Sequence, residues 1–309
     1  MSNNSKVSVC MITYGHEKFI DQAINGVLMQ VTDFEIELII ANDCSPDNTD
    51  KVVSKIIKNH PKGYLIKYTK HKSNLGMMRN FVWALEQCKA KYIAICDGDD
   101  YWTDHCKLQK QVNFLEANDD YVIHSGNARI LSNDTNNDSL ILNFNKDSVF
   151  EIDDFYKNNN VITCTVLFRN QHFIFPNFFD KIAFGDWFLY IILMNNAKKK
   201  VYRTNEVLSV YRIHSGGVMS NLNLEKNYLA HIYQIKSIQK YIGNKYYSKE
   251  IEQKLNHYYL EIFLLRCYQA NYKKAILILF ENLKSCFKSF PVKSYLSFLK
   301  IFILKKISI

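Results

Sequence analysis

Strand-length apolar runs alternate with amphipathic helical segments over the first hundred residues of this chain. Four runs have the length and the β-branched content of buried strands, namely residues 7–13, 34–43, 64–69 and 91–96. The segments between them, such as 19–28 and 77–88, carry apolar residues at helical spacing. Strands that alternate with helices in this way predict an α/β fold, with a Rossmann-like, mostly parallel sheet flanked by helices.

The remainder of the chain divides at about Leu222. Before it, we predict helices at 104–118 and 184–197, strands at 121–131 and 161–170, and two short strands within 201–217. The polar stretch 132–139 is predicted to be a surface loop. From Leu222 onward the pattern is helical to the end. We therefore predict an α/β domain at 1–221 and a C-terminal helical region at 222–309.

Composition restricts the class of protein. The chain of 309 residues is 48% hydrophobic and has only 4 prolines and 10 glycines, which is typical of a globular protein. It opens without a signal-peptide pattern and has no uncharged apolar run of spanning length, so we expect a cytoplasmic location. The 8 cysteines show no zinc-like spacing and are expected to be reduced thiols, several of them in the core.

The positive charge lies in the tail. Residues 222–309 contain 15 Lys/Arg and 5 Asp/Glu, whereas residues 1–221 contain 24 and 25, within a total net charge of +9. Without a nucleic-acid-binding motif, this distribution argues against nucleic acid as a partner. The tail segments 272–290 and 292–309 interleave lysine with Leu, Ile and Phe, which favours peripheral contact with an anionic membrane. Packing on the catalytic domain and a homodimer contact are alternatives that the pattern leaves open.

Acidic residues follow the fourth predicted strand. In YIAICDGDDYW (92–102), Asp97, Asp99 and Asp100 come directly after the apolar run, and Asp43 ends another predicted strand. Ligands of open α/β sheets bind at this carboxyl edge. Carboxylates held together repel one another unless a cation or a hydrogen-bond donor compensates. An isolated DxD pattern is, however, more typical of a solvated acidic turn than of a binding site.

Six motifs together resemble one family. In chain order they are VSVCMITYGHEKFI, LIIANDCSPDNT, NLGMMRNF, YIAICDGDDYW, FGDW and YRIHSGGVMS, and they cover residues 7–220. The chain resembles an inverting, metal-dependent family 2 glycosyltransferase with the GT-A fold. The resemblance implies a nucleotide-sugar donor and a divalent cation, Mn²⁺ or Mg²⁺. We expect the nucleotide of the donor to be UDP. It also implies a glycan or lipid-linked acceptor in bacterial surface-polysaccharide synthesis, at the inner face of the cell membrane.

The resemblance assigns roles around the diphosphate. Asp99 corresponds to the metal-binding acid of the DxD motif, and Asp97 faces the ribose or the cation. His214 corresponds to a late-loop histidine that completes metal or diphosphate binding. Arg212 lies on the same strand face and is assigned as a diphosphate clamp, although an ordinary surface arginine fits equally well. Asp100 is expected to be a turn acid.

A second group is implied around the base. Asp43 corresponds to the acid that accepts a hydrogen bond from the uracil imide, which suits a carboxylate because it only accepts. Tyr14 is expected to flank the base, and Thr13 to contact the nucleotide through its backbone. Asn74 is expected near the base, and Glu17 is assigned to the same nucleotide-binding group. The loop departs from the family's Ala-Arg-Asn triplet, so Arg79 is only a candidate phosphate contact.

Asp186, in FGDW, corresponds to the catalytic base. Inverting transfer requires one carboxylate opposite the leaving group to take the acceptor's proton. A helix N-cap is the structural alternative for Asp186, and Asp180 is the nearest other candidate base.

Two rival functions remain at this stage. A nucleotidyltransferase would be expected to carry a glycine-rich, basic phosphate loop near its N-terminus, and TYGHEKF lacks one. A non-catalytic binding or scaffold module would be expected to have lost Asp97, Asp99 or Asp186, and all three are present.

Overall fold

The computed structural model describes residues 5–132, 138–140, 145–171, 173–217, 223–243, 248–285, 291–293 and 295–296. The chain divides into two compact units, Met1–Ser220 and Asn221–Ile309. The first is a mixed sheet flanked by helices and the second is helical, which confirms the predicted fold class.

Ten strands and six helices are described in the first unit. The strands are β1 (Val7–Thr13), β2 (Ile36–Asn42), β3 (Ile66–Lys70), β4 (Tyr92–Ile95), β5 (Tyr101–Trp102), β6 (Tyr121–Ser132), β7 (Asp138–Leu140), β8 (Ser148–Phe150), β9 (Leu167–Arg169) and β10 (Lys200–Ile213). The helices are α1 (Ile20–Leu28), α2 (Thr49–Asn59), α3 (Met77–Gln87), α4 (Lys107–Ala117), α5 (Ile152–Lys157) and α6 (Gly185–Ala197).

All ten strands belong to one sheet. Its order is β3-β2-β1-β4-β9-β6-β10-β5, with β7 beside β6 and β8 beside β10. The β1 strand pairs in parallel with β2 and β4, and β6 pairs in parallel with β10, whereas β9 is antiparallel to both of its neighbours. The residues of β2 and β4 are buried throughout, which explains why these strands read as continuous apolar runs.

Two predicted elements were wrong. Residues 201–217 contain one strand, β10, because register shifts against β6 between Arg203 and Ser209 accommodate the polar residues between them. The run 161–170 contains a 3₁₀ turn at Thr163–Thr165, and only its last part forms a strand, the short β9. The carbonyl of Cys164 accepts bonds from the Trp102 indole at 2.7 Å and the Ser209 hydroxyl at 3.0 Å, so it is not free for a strand ladder.

The predicted loop 132–139 is only partly within the described residues. Ser132 ends β6 and Asp138 begins β7, so both belong to strands instead of a loop. Residues 133–137 lie outside the part that the structure describes.

The carboxyl ends of β1, β2 and β4 meet at one edge. The amide of Asp43 donates to the carbonyl of Thr13 at 2.9 Å, and the amide of Gly98 donates to the carbonyl of Ile12 at 3.0 Å. A Cβ on Gly98 would lie 2.7 Å from the Thr13 hydroxyl, so only glycine lets the acidic turn lie this close to β1. The edge therefore brings the two acidic segments of the sequence to one place.

The second unit contains α7 (Leu224–Ile242), α8 (Lys249–Tyr268) and α9 (Tyr272–Ser285). Asn223 caps α7 and Ser248 caps α8, because each side chain accepts a backbone N–H of the first turn. Arg266 of α8 forms a 2.9 Å ion pair with Glu225 of α7. Among the described helices, none combines the length and the apolar character that crossing a membrane requires.

Candidate active site

A cavity of about 660 Å³ opens at the carboxyl edge of the sheet. Its walls are the ends of β1, β2 and β10, the start of α3, the acidic turn after β4, and the glycines that follow β10. The described lining residues are Ile12, Thr13, Tyr14, His16, Asp43, Asn74, Met77, Asn80, Asp97, Asp99, Asp100, Tyr211, Arg212, Ile213, Gly216 and Gly217. Seven of the ten predicted site residues are among them; Glu17, Asp186 and His214 are not.

The acidic turn is largely buried: Asp100 is 3% exposed, and Asp97 and Asp99 are partly buried. Burial raises the pKa of Asp97 well above its usual range, and the neighbouring charges of Asp99 and Asp186 raise it further. Burial likewise raises the pKa of Asp100, together with the charge of Asp99. The Asp100 carboxylate accepts the backbone N–H of Arg212 at 2.8 Å, which fits its predicted role as a turn acid. Neighbouring carboxylates stay ionised together only where positive charge or hydrogen-bond donors compensate their repulsion.

Asp99 lies between two histidines. Nε2 of His214 is 3.1 Å from Oδ2 of Asp99, and Nε2 of His16 is 3.8 Å from the same oxygen. One nitrogen or oxygen from each of the three side chains lies within 4.8 Å of the others. Burial by itself would raise the pKa of Asp99, but the hydrogen bond from His214 and the charges of both histidines outweigh it, so its pKa is lowered. The cluster offers one carboxylate oxygen and two imidazole nitrogens.

His16 was missed by the sequence analysis. Burial lowers the pKa of His16 and the attraction of Asp99 offsets only part of that, so the neutral ring that binds metals is favoured. Its Nδ1 is buried and has no hydrogen-bond partner among the described residues. The signal available in the sequence was its place in the loop after β1, at the same edge as Asp43 and Asp99.

Arg212 contacts the acidic turn directly. Nη1 donates to the Asp99 carbonyl at 2.6 Å, and Nη2 donates to Gln22 Oε1. The guanidinium lies between the rings of Phe19, at 5.2 Å, and Tyr101, at 4.5 Å. Its side chain therefore braces the turn that carries Asp99, while one face of the residue still lines the cavity.

Asp43 and Asn74 organise the opposite wall. The Asp43 carboxylate accepts the amides of Leu75 at 2.7 Å and Gly76 at 3.0 Å, and the Asn74 amide donates to the Asp43 carbonyl at 3.2 Å. Gly76 has a φ of +89°, which favours glycine. These bonds hold the loop after β3 against the end of β2, so that Asp43 faces the cavity.

The ring of Tyr14 is at the cavity mouth. Its residue is 48% exposed, whereas Thr13 is buried with a hydroxyl that has no partner among the described residues. Asn80, a lining residue that we did not predict, donates to the Ala41 carbonyl at 3.0 Å and contacts His71 at 2.9 Å. An exposed aromatic ring beside a buried polar wall is suited to a planar ligand.

Glu17 is outside the cavity lining. Its carboxylate accepts the Asn48 amide at 2.7 Å, just before α2, and its own amide donates to Asp47 at 3.0 Å. The residue therefore ties the loop after β1 to the start of α2. Its predicted contact with the nucleotide stays a prediction.

Asp186 lies in the first turn of α6. Phe184 is the N-cap of this helix, so the alternative of an N-cap aspartate was wrong. The Asp186 carboxylate accepts the Thr163 hydroxyl at 2.5 Å and the Asn159 amide at 3.1 Å. It is close enough to Asp97 to raise the pKa of that residue. Two donors thus fix a carboxylate close to the acidic turn.

The other candidate residues have partners elsewhere. Asp180 forms a 3.0 Å ion pair with Arg79, whose side chain is 68% exposed. Both residues line a separate groove of about 360 Å³ on the outer side of α3. The structure does not bring either of them into the cavity lining.

A family comparison decides the identity of the first unit. Residues 8–178, more than half of the chain, match the family described as Glycosyl transferase family 2. The chain belongs to glycosyltransferase family 2. The predicted family and the predicted enzyme class are therefore confirmed, and membership of this family argues against a nucleotidyltransferase.

Relatives match about seven tenths of this family 2 glycosyltransferase. An uncharacterised protein of Mycobacterium tuberculosis is 30% identical over 217 residues, 69% of this chain and 60% of its own length. The chain thus spans about three fifths of that relative. The putative teichuronic acid biosynthesis glycosyltransferase TuaG of Bacillus subtilis is 26% identical over 70% of this chain and 82% of its own.

Solved structures share the fold of this glycosyltransferase. S. aureus TarS in complex with UDP-GlcNAc has a TM-score of 0.61 at 18% identity, over 94% of this chain and 82% of its own. The mannosyltransferase PcManGT of Pyrobaculum calidifontis, in complex with GDP-Man and Mn²⁺, has a TM-score of 0.55 at 14% identity, over 98% and 81%. These neighbours bind nucleotide sugars, with uracil in one and guanine in the other.

Proposed function

We propose that this glycosyltransferase moves a sugar from a UDP-sugar to a hydroxyl of a glycan or lipid-linked acceptor, with inversion and with a divalent cation. One observation carries the proposal. Two members of the cluster of His16, Asp99 and His214, namely His16 and Asp99, line a cavity that Asp43 also lines, and a fixed carboxylate, Asp186, lies close to Asp97.

The donor set of the cluster fits a cation. A carboxylate and two imidazoles suit Mn²⁺ better than Mg²⁺, which prefers oxygen ligands and retained water. Among the described residues that line the cavity, Arg212 alone has a permanent positive charge. Its guanidinium already donates hydrogen bonds to the Asp99 carbonyl and to Gln22. His16, Asp99 and His214 would hold the cation, whose charge would stabilise a leaving diphosphate.

Asp186 is the proposed general base. Ionised, it accepts the proton of the acceptor hydroxyl as that oxygen attacks the anomeric carbon from the face opposite the leaving group. Thr163 and Asn159 hold the carboxylate through Oδ2, which leaves Oδ1 for the acceptor. Thr163 is a positioning residue in this scheme, because it acts through Asp186.

A donor screen tests the proposal. The full chain is incubated with a panel of UDP- and GDP-sugars, Mn²⁺ and a bacterial membrane extract as the source of acceptor, and nucleotide release is measured. We expect release with one or a few UDP-sugars and an inverted anomeric centre in the product. Release with GDP-sugars alone would exclude the UDP assignment, and a retained centre would exclude the single displacement.

Nucleotide selectivity is expected to depend on Asp43. Uracil offers an imide N–H to this carboxylate and cytosine does not, so wild type should bind UDP at least about tenfold more tightly than CDP. In Asp43→Asn, the amide group no longer presents two acceptor oxygens, and the UDP-to-CDP ratio should fall toward one. Calorimetric titration measures both affinities.

The ratio is the readout because Asp43 also holds the amides of Leu75 and Gly76. A general loosening of this loop would weaken UDP and CDP alike and leave their ratio unchanged. That outcome would assign Asp43 a structural role only. Asp50→Asn, at a carboxylate that bonds Tyr68 and is absent from the cavity lining, is the matched control.

The proposed acceptor is a glycan or a lipid-linked molecule. The Bacillus subtilis relative is named for teichuronic acid biosynthesis, which supports an acceptor in glycan assembly. We place the reaction at the inner face of the cell membrane, where lipid-linked acceptors are presented. A homodimer is the alternative use of the tail.

A further inference from the structure

Helix α9 buries one face. Ala275, Ile278 and Asn282 are the buried residues of this helix, and Asn282 also donates to the Tyr295 hydroxyl at 2.9 Å. Their spacing of three and four residues places them on a single side. A surface helix of a globular protein normally carries polar and charged residues on the opposite side.

The opposite side of α9 is apolar. Ile276 is 51% exposed, Leu277 55% and Phe280 61%. At about 100° per residue, Phe280 points directly away from the buried face, with Leu277 and Ile276 beside it. Lys273 and Lys284 lie on this same side and are exposed. We call these five residues the outer face of α9.

Charge identifies the occupant of this face. The lysines bracket the apolar residues at both ends, about 16 Å apart along the axis, and Glu281, the one acid of α9, lies on the flank. Residues 222–309 have 15 Lys/Arg against 5 Asp/Glu, so the whole helical unit is attracted to negative charge. An anionic surface with an apolar interior complements both features.

A second copy of the chain fits less well. If two outer faces packed together, an antiparallel arrangement would bring Lys273 of one copy to Lys284 of the other, and a parallel arrangement would pair each lysine with itself. Like charges at such close range oppose association. The 14 described residues of α9 span about 21 Å, which is less than the roughly 30 Å thickness of the hydrocarbon core of a bilayer. A helix of this length would lie in the plane of the membrane.

We propose that the outer face of α9 docks on an anionic phospholipid bilayer, with Ile276, Leu277 and Phe280 in the interface and Lys273 and Lys284 at the headgroups. This inference concerns the helical unit and does not rest on the chemistry of the catalytic unit. It goes beyond the proposed location by naming the contacting surface.

Vesicle binding of the full chain tests the proposal. Co-sedimentation is measured with vesicles of phosphatidylcholine containing one third phosphatidylglycerol, and with pure phosphatidylcholine. We expect clear binding to the anionic vesicles and about tenfold less to the neutral ones. Phe280→Glu and Leu277→Glu should each reduce binding more than about tenfold, because each removes an apolar contact and adds a repelled charge. Lys273→Gln and Lys284→Gln should each reduce it about fivefold.

Val31→Glu is the matched control. Val31 is an exposed apolar residue of the catalytic unit, 63% exposed, so the same charge change there should leave vesicle binding unchanged. Thermal melting and binding of UDP with Mn²⁺ should be equal in wild type and in all these variants, which separates this proposal from the proposed function. Equal vesicle binding by wild type and Phe280→Glu would overturn it. So would a wild-type dimer in sedimentation velocity that Phe280→Glu converts to monomer, because the face would then be a contact between copies.

Discussion

Asp186→Asn is expected to bind donor and metal like wild type while transfer falls about 10²–10⁴-fold. Asparagine keeps the size of the side chain and its bonds to Thr163 and Asn159 remain feasible, but it does not accept a proton at neutral pH. The loss should therefore appear in kcat, with little change in the affinity for UDP and Mn²⁺. The measurement is turnover with the donor and acceptor found in the screen, beside calorimetric titration of UDP.

Two further variants sharpen this result. Thr163→Val removes the hydrogen bond to Asp186 and should lower kcat less than Asp186→Asn does, with KM unchanged, because the base is kept but held less firmly. Asp180→Asn should keep wild-type turnover, since Asp180 pairs with Arg79 away from the cavity lining. Wild-type turnover in Asp186→Asn would remove Asp186 from the mechanism. Lost turnover in Asp180→Asn, together with that result, would move the base to Asp180.

Asp99→Asn is expected to lose the metal site. Asp99 supplies the one carboxylate of the cluster, and both histidines lie against it. Mutation of a residue that only hydrogen-bonds to a metal ligand typically lowers metal affinity by about 10–100-fold. Loss of the ligand itself should therefore weaken Mn²⁺ binding by more than about 100-fold. Electron paramagnetic resonance of free Mn²⁺ measures the affinity without any substrate. The thermal stabilisation by UDP with Mn²⁺ should disappear in the same variant.

The histidines give a graded check on the same site. His16→Ala and His214→Ala should each weaken Mn²⁺ binding by about 10-fold or more, because each removes one imidazole from the ligand set. Asp21→Asn, on the exposed side of α1, is the matched control and should bind Mn²⁺ like wild type. Unchanged Mn²⁺ affinity in Asp99→Asn would contradict the assignment of the cluster as a metal site.

The sequence predicted the sheet edge well, for a physical reason. Apolar runs that end in acids place those acids where parallel strands end, so the sequence alone predicts Asp43 and the turn at Asp97–Asp100 at the same edge. The alternation of strands and helices likewise predicted the α/β class. Local pattern is sufficient here because strand direction and strand order follow general rules.

Contacts between distant segments were not predictable in this way. Arg212 was expected to clamp diphosphate, yet its guanidinium bonds the Asp99 carbonyl and Gln22, partners 113 and 190 residues away. His16 was missed because a loop residue follows no periodic pattern. We predicted two strands where the structure has one, β10, because its bulges interrupt the alternation of side chains that marks a continuous strand.

Calorimetric titration of the wild-type chain with UDP, in Mn²⁺ and again in excess chelator, tests the central claim most directly. It needs neither the donor sugar nor the acceptor. If the cation at His16, Asp99 and His214 compensates the buried carboxylates and holds the diphosphate, the affinity for UDP should fall by at least about tenfold when the metal is removed. An affinity for UDP that is the same in Mn²⁺ and in chelator would contradict the proposed metal-dependent mechanism.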